Sequence, residues 1–247
     1  GRIVGAALTT LYMRSERRTV HFTKDALSQL ASLGKIFSVG LPSALIYVCN
    51  FLRLFFTNAI ILSFTGVMGG KIASVSFSLN SLAFILVEGA SMTLLPILGA
   101  LYGEKDGNGQ RLTLRYGMIY TIGLSMIVFI VSELFPVQLA MLYGLTEPEI
   151  TSVFSVAFRL LSANIPILAV IYVLRSFFQA TKQRVLANLI VVLDGVLTIV
   201  PLMFWFAHYG IFWLWLSFPV SKTVTFIITL AAMLISWKAG HKKNMTT

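Results

Sequence analysis

The chain has 247 residues, of which 57% are hydrophobic and only 11% charged, with a formal net charge of +10. Ordinary soluble domains carry roughly 25% charged residues, so this composition excludes a water-soluble globule and points to lipid as the solvent. The cations sit between long apolar runs, which reads as membrane topology and attraction to anionic headgroups, with no nucleic-acid partner.

Residues 1–13 form an apolar stretch that ends at Arg14, too short to cross a bilayer, which takes about 20 residues. It reads as the end of a helix whose beginning lies upstream, and the sequence opens at Gly1 in the middle of a pattern. Residues 14–35 are polar and basic and read as a linker. Six long apolar segments follow within residues 36–237, near 36–64, 72–98, 112–135, 150–180, 185–206 and 211–237. Each is long enough to cross a hydrocarbon core of about 30 Å. They are continuously apolar with no period-two alternation, so helices satisfy the backbone in lipid rather than a barrel. The expected fold is an all-α membrane protein, a six-helix bundle, with residues 238–247 as a tail.

Gly66, Gly69 and Gly70, the run Gly103 to Gly109, Gly144, and Tyr209-Gly210 supply turn chemistry between the segments. Lys and Arg set the orientation. The linker, the 100–111 loop, the 181–184 loop and the C-terminus hold nearly all of them, while the opposite side holds Lys71 and Arg159. By the positive-inside rule the first set faces the cytoplasm of a multi-pass cell-membrane protein.

Charged groups in hydrocarbon cost a few kcal/mol or more and ask for a reason. Arg53, Glu88, Asp194 and Lys222 are such groups. Asn50 lies one turn from Arg53 on the same helix face. Asn164 precedes Pro166, which removes a backbone donor and kinks the fourth span. Glu88, Asp194, Asn50, Arg53 and Asn164 are therefore the candidate substrate or ion path. The competing reading makes each a structural ion pair, a snorkelling chain or interhelical glue. Pro42, Pro96, Pro201 and Pro219 fall within spans too, as suits a protein that changes shape. There is no H-E-x-x-H, G-x-S-x-G or phosphate-cradling P-loop motif. The expectation is a transporter and not an enzyme, needing no cofactor beyond a coupling ion.

Several stretches, in order, resemble the multidrug and toxic compound extrusion (MATE) family. They are Gly40-Leu41-Pro42-Ser43 after a basic linker, Asn58 before the Gly66 turn, Gly99 to Asp106, Phe178-Gln179-Ala180-Thr181-Lys182, Pro201, and Tyr209-Gly210-Ile211. The resemblance covers about residues 36–237. It implies one lobe of a two-lobe (6+6) transporter whose N-terminal lobe lies upstream. It implies export of organic cations by antiport with protons or sodium through alternating access. Some members carry a carboxylate on the first helix of this lobe, eight residues after the proline; Asn50 stands there in this chain. Asn164 and Leu168 stand where an acidic partner would be on the fourth helix. Coupling is then expected from the missing lobe or from Glu88. Two alternatives compete. A lipid-linked oligosaccharide flippase of the same superfamily would gather Arg53, Arg159 and Arg175 around a cavity. A membrane scaffold would transport nothing.

The orientation is tested by labelling single cysteines in a Cys49→Ser background with a membrane-impermeant maleimide. Thr146→Cys is expected to react in intact cells and Asn108→Cys only after permeabilisation. The reverse pattern overturns the assignment.

Overall fold

The computed structural model describes residues 10–12 and 33–244, with side chains for residues 10–12 and 44–234. The expected upstream helix end (1–13) and linker (14–35) lie largely outside the described residues, as do the last three residues of the tail. The chain divides into two compact units, Gly1–Leu41 and Pro42–Thr247. Of the first, residues 10–12 and 33–41 are described, and both stretches are helical. The second holds the bundle.

The described elements are α1 (Leu33–Gly103), α2 (Gly107–Leu134), α3 (Pro136–Leu142), α4 (Pro148–Ser162), α5 (Ile165–Ala180), α6 (Arg184–Val192), a π-helical turn (Leu193–Leu197), α7 (Ile199–Ala207) and α8 (Ile211–Asn244). No strand occurs among the described residues. Five stretches are long and apolar enough to cross a membrane: Ala44–Gly103, Gly107–Leu134, Pro148–Ala180, Arg184–Ala207 and Ile211–Leu234. The first is 60 residues, or about 90 Å if straight at 1.5 Å per residue. That is roughly three times the hydrocarbon thickness, so it cannot be one crossing.

Gly66 divides it. Its backbone stands at φ 63°, ψ −161°, a region open to glycine and costly for residues with a Cβ. The chain reverses there. Ile60 and Ile61 before the turn join the same apolar cluster as Ile72, Ala73 and Leu79 after it. Positions at similar distances on either side of the turn also share one cavity wall, Arg53 with Asn80 and Thr57 with Phe77. The two arms of α1 therefore run antiparallel, and the bundle has the six crossings expected from the apolar runs.

Two of the later crossings are broken. Between α4 and α5 the regular ladder lapses at Ala163 and Asn164. Pro166 has no N–H to donate back one turn, which is why the break falls here. The fifth crossing was expected as a plain helix, but it contains the π turn. Thr198 N–H donates to Leu193 O five residues back at 3.2 Å, and Thr198 Oγ1 donates to the same oxygen at 2.8 Å. Pro201, one turn on, cannot make the next regular bond. A π turn widens the helix by one residue and re-aims its side chains, and such turns concentrate at functional positions.

The core is built from α1, α4, α7 and α8 around Phe154, Phe158, Leu161, Ile199, Met203 and Trp215. Trp215 is 2% exposed. Its ring stacks on Phe218 at 5.7 Å between centroids. Trp205 and Trp213 are exposed, as expected of rings at the membrane–water interface. Large exposed side chains such as Phe51, Phe55, Leu82, Ile85, Ile119 and Ile127 would be a liability in water and are ordinary in lipid.

Gly195 serves a different purpose from Gly66. A Cβ added to Gly66 would meet nothing within 4 Å, whereas one added to Gly195 would lie 2.6 Å from Cys49 Cβ. The π turn thus rests directly on the first arm of α1. Gly195→Ala is expected to cost about 1–3 kcal/mol, the usual penalty for overpacking a tight contact, and so to lower the melting temperature of the purified protein. Adding Cys49→Gly should recover most of the loss, and no recovery would show that the contact is not the cause.

Candidate functional site

A cavity of about 280 Å³ opens among α1, α4, α5, α7 and α8. Asn50, Arg53, Leu54 and Thr57 come from the first arm of α1, and Phe77, Asn80, Ser81 and Phe84 from the second. Leu161, Asn164, Ile199, Phe218 and Lys222 complete the wall. The helix breaks described above border it. Asn164 sits in the gap between α4 and α5, and Ile199 follows the π turn. The hairpin at Gly66 brings Arg53 level with Asn80.

Asp194 lies behind this wall, in the π turn, and is 7% exposed. Its Oδ1 accepts a hydrogen bond from Lys222 Nζ on α8. Its Oδ2 stands 3.8 Å from Arg53 Nη1 on α1. Lys222 Nζ also points to Asp194 O at 3.5 Å. One turn beyond, Thr198 and Thr225 share a hydrogen bond of 3.0 Å between the same two elements. One carboxylate thus ties three crossings together. A buried charge is tolerated when paired and hydrogen-bonded, and Asp194 and Lys222 meet that condition through each other.

The amides are in a different state. Asn80 is 1% exposed, and neither its Oδ1 nor its Nδ2 has a hydrogen-bond partner in the protein; Asn164 Oδ1 has none either. Buried amides left this way ask for water or a ligand, and both line the cavity.

Of the residues expected from sequence to form the path, Asn50, Arg53 and Asn164 line this cavity, and Asp194 lies behind it bonded to two of its cations. Glu88 does not join them. It pairs with Arg175 through Oε1 and Nη2 at 3.2 Å, with its side chain 44% exposed. Arg175 itself is buried and lies over the Tyr172 ring at 4.4 Å. Arg159 pairs with Glu133 at 3.7 Å. Of the three arginines that a flippase reading would gather, Arg53 lines the cavity, and the other two are neutralised by their own glutamates. Lys222 and Asn80 were left out of the expected site. Asn80 lies about as far after Gly66 as Arg53 lies before it. That symmetry was available in the sequence once the glycine was taken as a hairpin. Nothing in the linear pattern pointed to Lys222 as the partner of Asp194. Among the described residues no cluster of metal-ligating side chains occurs.

The apolar crossings around a polar cavity are those of a multi-pass membrane protein. The MatE family model matches residues 42–205, and the chain belongs to that family. Three solved structures show the fold it shares. A MATE protein in complex with MaL6 superposes with a TM-score of 0.82 at 20% identity, covering 97% of this chain and 55% of its own. An outward-facing multidrug resistance MATE family transporter of the MOP superfamily gives 0.80 at 20% identity, covering 96% and 54%. A MOP superfamily transporter from Pyrococcus furiosus, described by a reverse polarity of its binding pocket, gives 0.79 at 21% identity, covering 94% and 54%. The chain thus spans about half the length of these structures. A comparison with curated proteins found no match.

Lys222→Met leaves Asp194 with Arg53 alone. Breaking a buried pair in this way typically costs about 3–5 kcal/mol, read as a lower melting temperature in detergent. Asp194→Asn combined with Lys222→Met is expected to recover much of that loss. Strictly additive losses in the double variant would mean that the two side chains do not interact.

Proposed function

We propose that this chain is one lobe of a secondary-active exporter, and that the cavity at Asn50, Arg53, Asn80, Asn164 and Lys222 is its share of the substrate path. The observation that carries this reading is the wall itself: unpartnered amides and two cations facing open space inside an apolar bundle. A scaffold gains nothing from such a wall, because well-packed apolar side chains would be at least as stable there. Broken helices beside a polar site at mid-depth are how transporters place irregular backbone where it lines a cavity. The breaks at Asn164 and at the π turn also supply places for a crossing to bend.

The proposed cycle is alternating access, with protons or sodium as the coupling ion, in a multi-pass cell-membrane protein whose 100–111 and 181–184 loops face the cytoplasm. The companion is the other lobe of the same protein. Asp194 would hold α1, the π turn and α8 together in one state and release them in the other. Glu88, paired with Arg175 outside the cavity, would serve the ion path rather than substrate contact. Organic cations are the substrates the family likeness implies. No carboxylate stands among the described cavity-lining residues, so a carried cation would have its charge met outside this lobe.

Cells expressing the intact protein are expected to survive ethidium better than cells with an empty vector. Asp194→Asn should abolish that protection and Glu88→Gln weaken it, both at normal expression. Protection that persists in both variants would remove these carboxylates from the cycle, and survival equal to the empty vector would remove ethidium-like cations as substrates.

A further inference from the structure

We infer that the cavity of this lobe binds the anionic group of an amphipathic organic molecule, one carrying a single carboxylate, sulfonate or phosphate-type charge. The inference rests on the reading that the cavity is a substrate path and adds the charge of what enters it.

Arg53 and Lys222 line the cavity, and among the described residues Asp194 is the one carboxylate within ion-pair distance of either. It neutralises one of the two cations. The nearby Arg175 has its own carboxylate in Glu88 and adds no net charge. One positive charge is therefore left over at the wall. Geometry assigns it to Arg53. Lys222 is held close to Asp194 Oδ1 and is 4% exposed, whereas Arg53 stands 3.8 Å from Oδ2 with its side chain 26% exposed. A guanidinium stays charged at any ordinary pH and offers five N–H donors in a planar fork. Among the described residues Arg53 has no second ion-pair partner. An uncompensated cation beside low-dielectric walls attracts an anion strongly.

The second, independent observation is Asn80. Buried to 1% exposure with both amide atoms unpartnered, it sits across the hairpin from Arg53 on the same wall. Its Nδ2 supplies a donor beside the guanidinium, and its Oδ1 and Asn164 Oδ1 accept from any hydroxyl or amide on the ligand. Phe77, Phe84 and Phe218 line the same space and suit an aromatic or aliphatic body. One spare charge matches one anionic group; a diphosphate would leave a negative charge unmet.

The test uses the intact protein purified in detergent and three probes that differ in charge alone: naphthalene-1-sulfonate, 1-naphthalenemethanol and 1-naphthylmethylammonium. Calorimetric titration is expected to show the sulfonate binding at least about tenfold tighter than the neutral alcohol, the scale of one charge contact, and the ammonium gaining nothing from Arg53. Arg53→Gln should erase that preference while leaving the neutral probe unaffected, and Arg53→Lys should keep it. Asp194→Asn, which removes the carboxylate that neutralises one of the two cations, should widen it, and this comparison decides the matter if Arg53→Gln fails to fold. Sulfonate binding no tighter than that of the neutral alcohol, ammonium binding weakened by Arg53→Gln, or a sulfonate preference that survives Arg53→Gln overturns the inference. Repeating the titration in phosphatidylcholine nanodiscs with and without phosphatidylglycerol separates two sources of the anion. Displacement by phosphatidylglycerol assigns the site to a lipid headgroup, and lack of displacement to a soluble substrate; both outcomes uphold the anion site. Transport is read separately in proteoliposomes. Arg53-dependent sulfonate binding without flux would overturn the transport reading and leave the anion site standing, while ethidium flux indifferent to Arg53→Gln alongside equal probe binding would do the opposite.

Discussion

A carboxylate moved from water into hydrocarbon is penalised by several kcal/mol even after the surroundings relax, and only close cations and hydrogen bonds offset that. Asp194 has such partners because the fold delivers Lys222 from α8 and Arg53 from α1 to its two oxygens. The rest of the lobe is arranged around this meeting. The π turn rotates Asp194 toward both partners, Gly195 lets that turn rest against Cys49, and the Thr198–Thr225 hydrogen bond fixes α8 one turn further along. If any of these elements shifted, a charge would be stranded in an apolar interior. Charge pairing of this kind specifies an arrangement more than it stabilises one, because an apolar trio could pack there at no greater cost.

The same arrangement leaves the lobe unfinished as a container. Two cations meet one carboxylate, and the Asn80 amide has no partner in the protein. A sealed core would not tolerate this, so the cavity has to be supplied with water or a ligand to satisfy what the protein leaves open. The breaks at Asn164 and at Leu193–Leu197 border that space. Local geometry departs from the regular helix where the polar demand is greatest, and the departures are the places at which a crossing can bend without losing its lipid-facing surface.

The chain belongs to the MatE family and spans about half the length of the solved structures it resembles. What this lobe contributes is asymmetric in charge. On the first crossing the cavity meets Asn50 and the cation Arg53. The acidic group of the region stands on the fifth crossing, behind the wall rather than on it. That placement decides what the carboxylate can do. On the wall it would meet a substrate directly; behind the wall it sets how much of the positive charge in front is left free.

The amino-acid sequence by itself determined the solvent, the helical class, the number of crossings and the residues that could not lie idle in lipid. Each follows from local chemistry: apolar run length, the absence of alternation, glycine at turns, and the cost of charge in oil. It also put Asn50 and Arg53 on one helix face, because a turn of helix is a local distance. Which charges would meet was beyond its reach. Arg53 finds Asp194 rather than Glu88, and Asp194 finds Lys222, through a hairpin and a π turn whose register depends on packing between crossings far apart in the chain. The π turn arises from a threonine bonding five residues back instead of four, a choice made by Cys49 against Gly195 and by Thr225 across the bundle. Those contacts exist only once the tertiary structure has brought the crossings together, which is why the pairing of charges, and with it the character of the cavity, belongs to the fold and not to the sequence pattern.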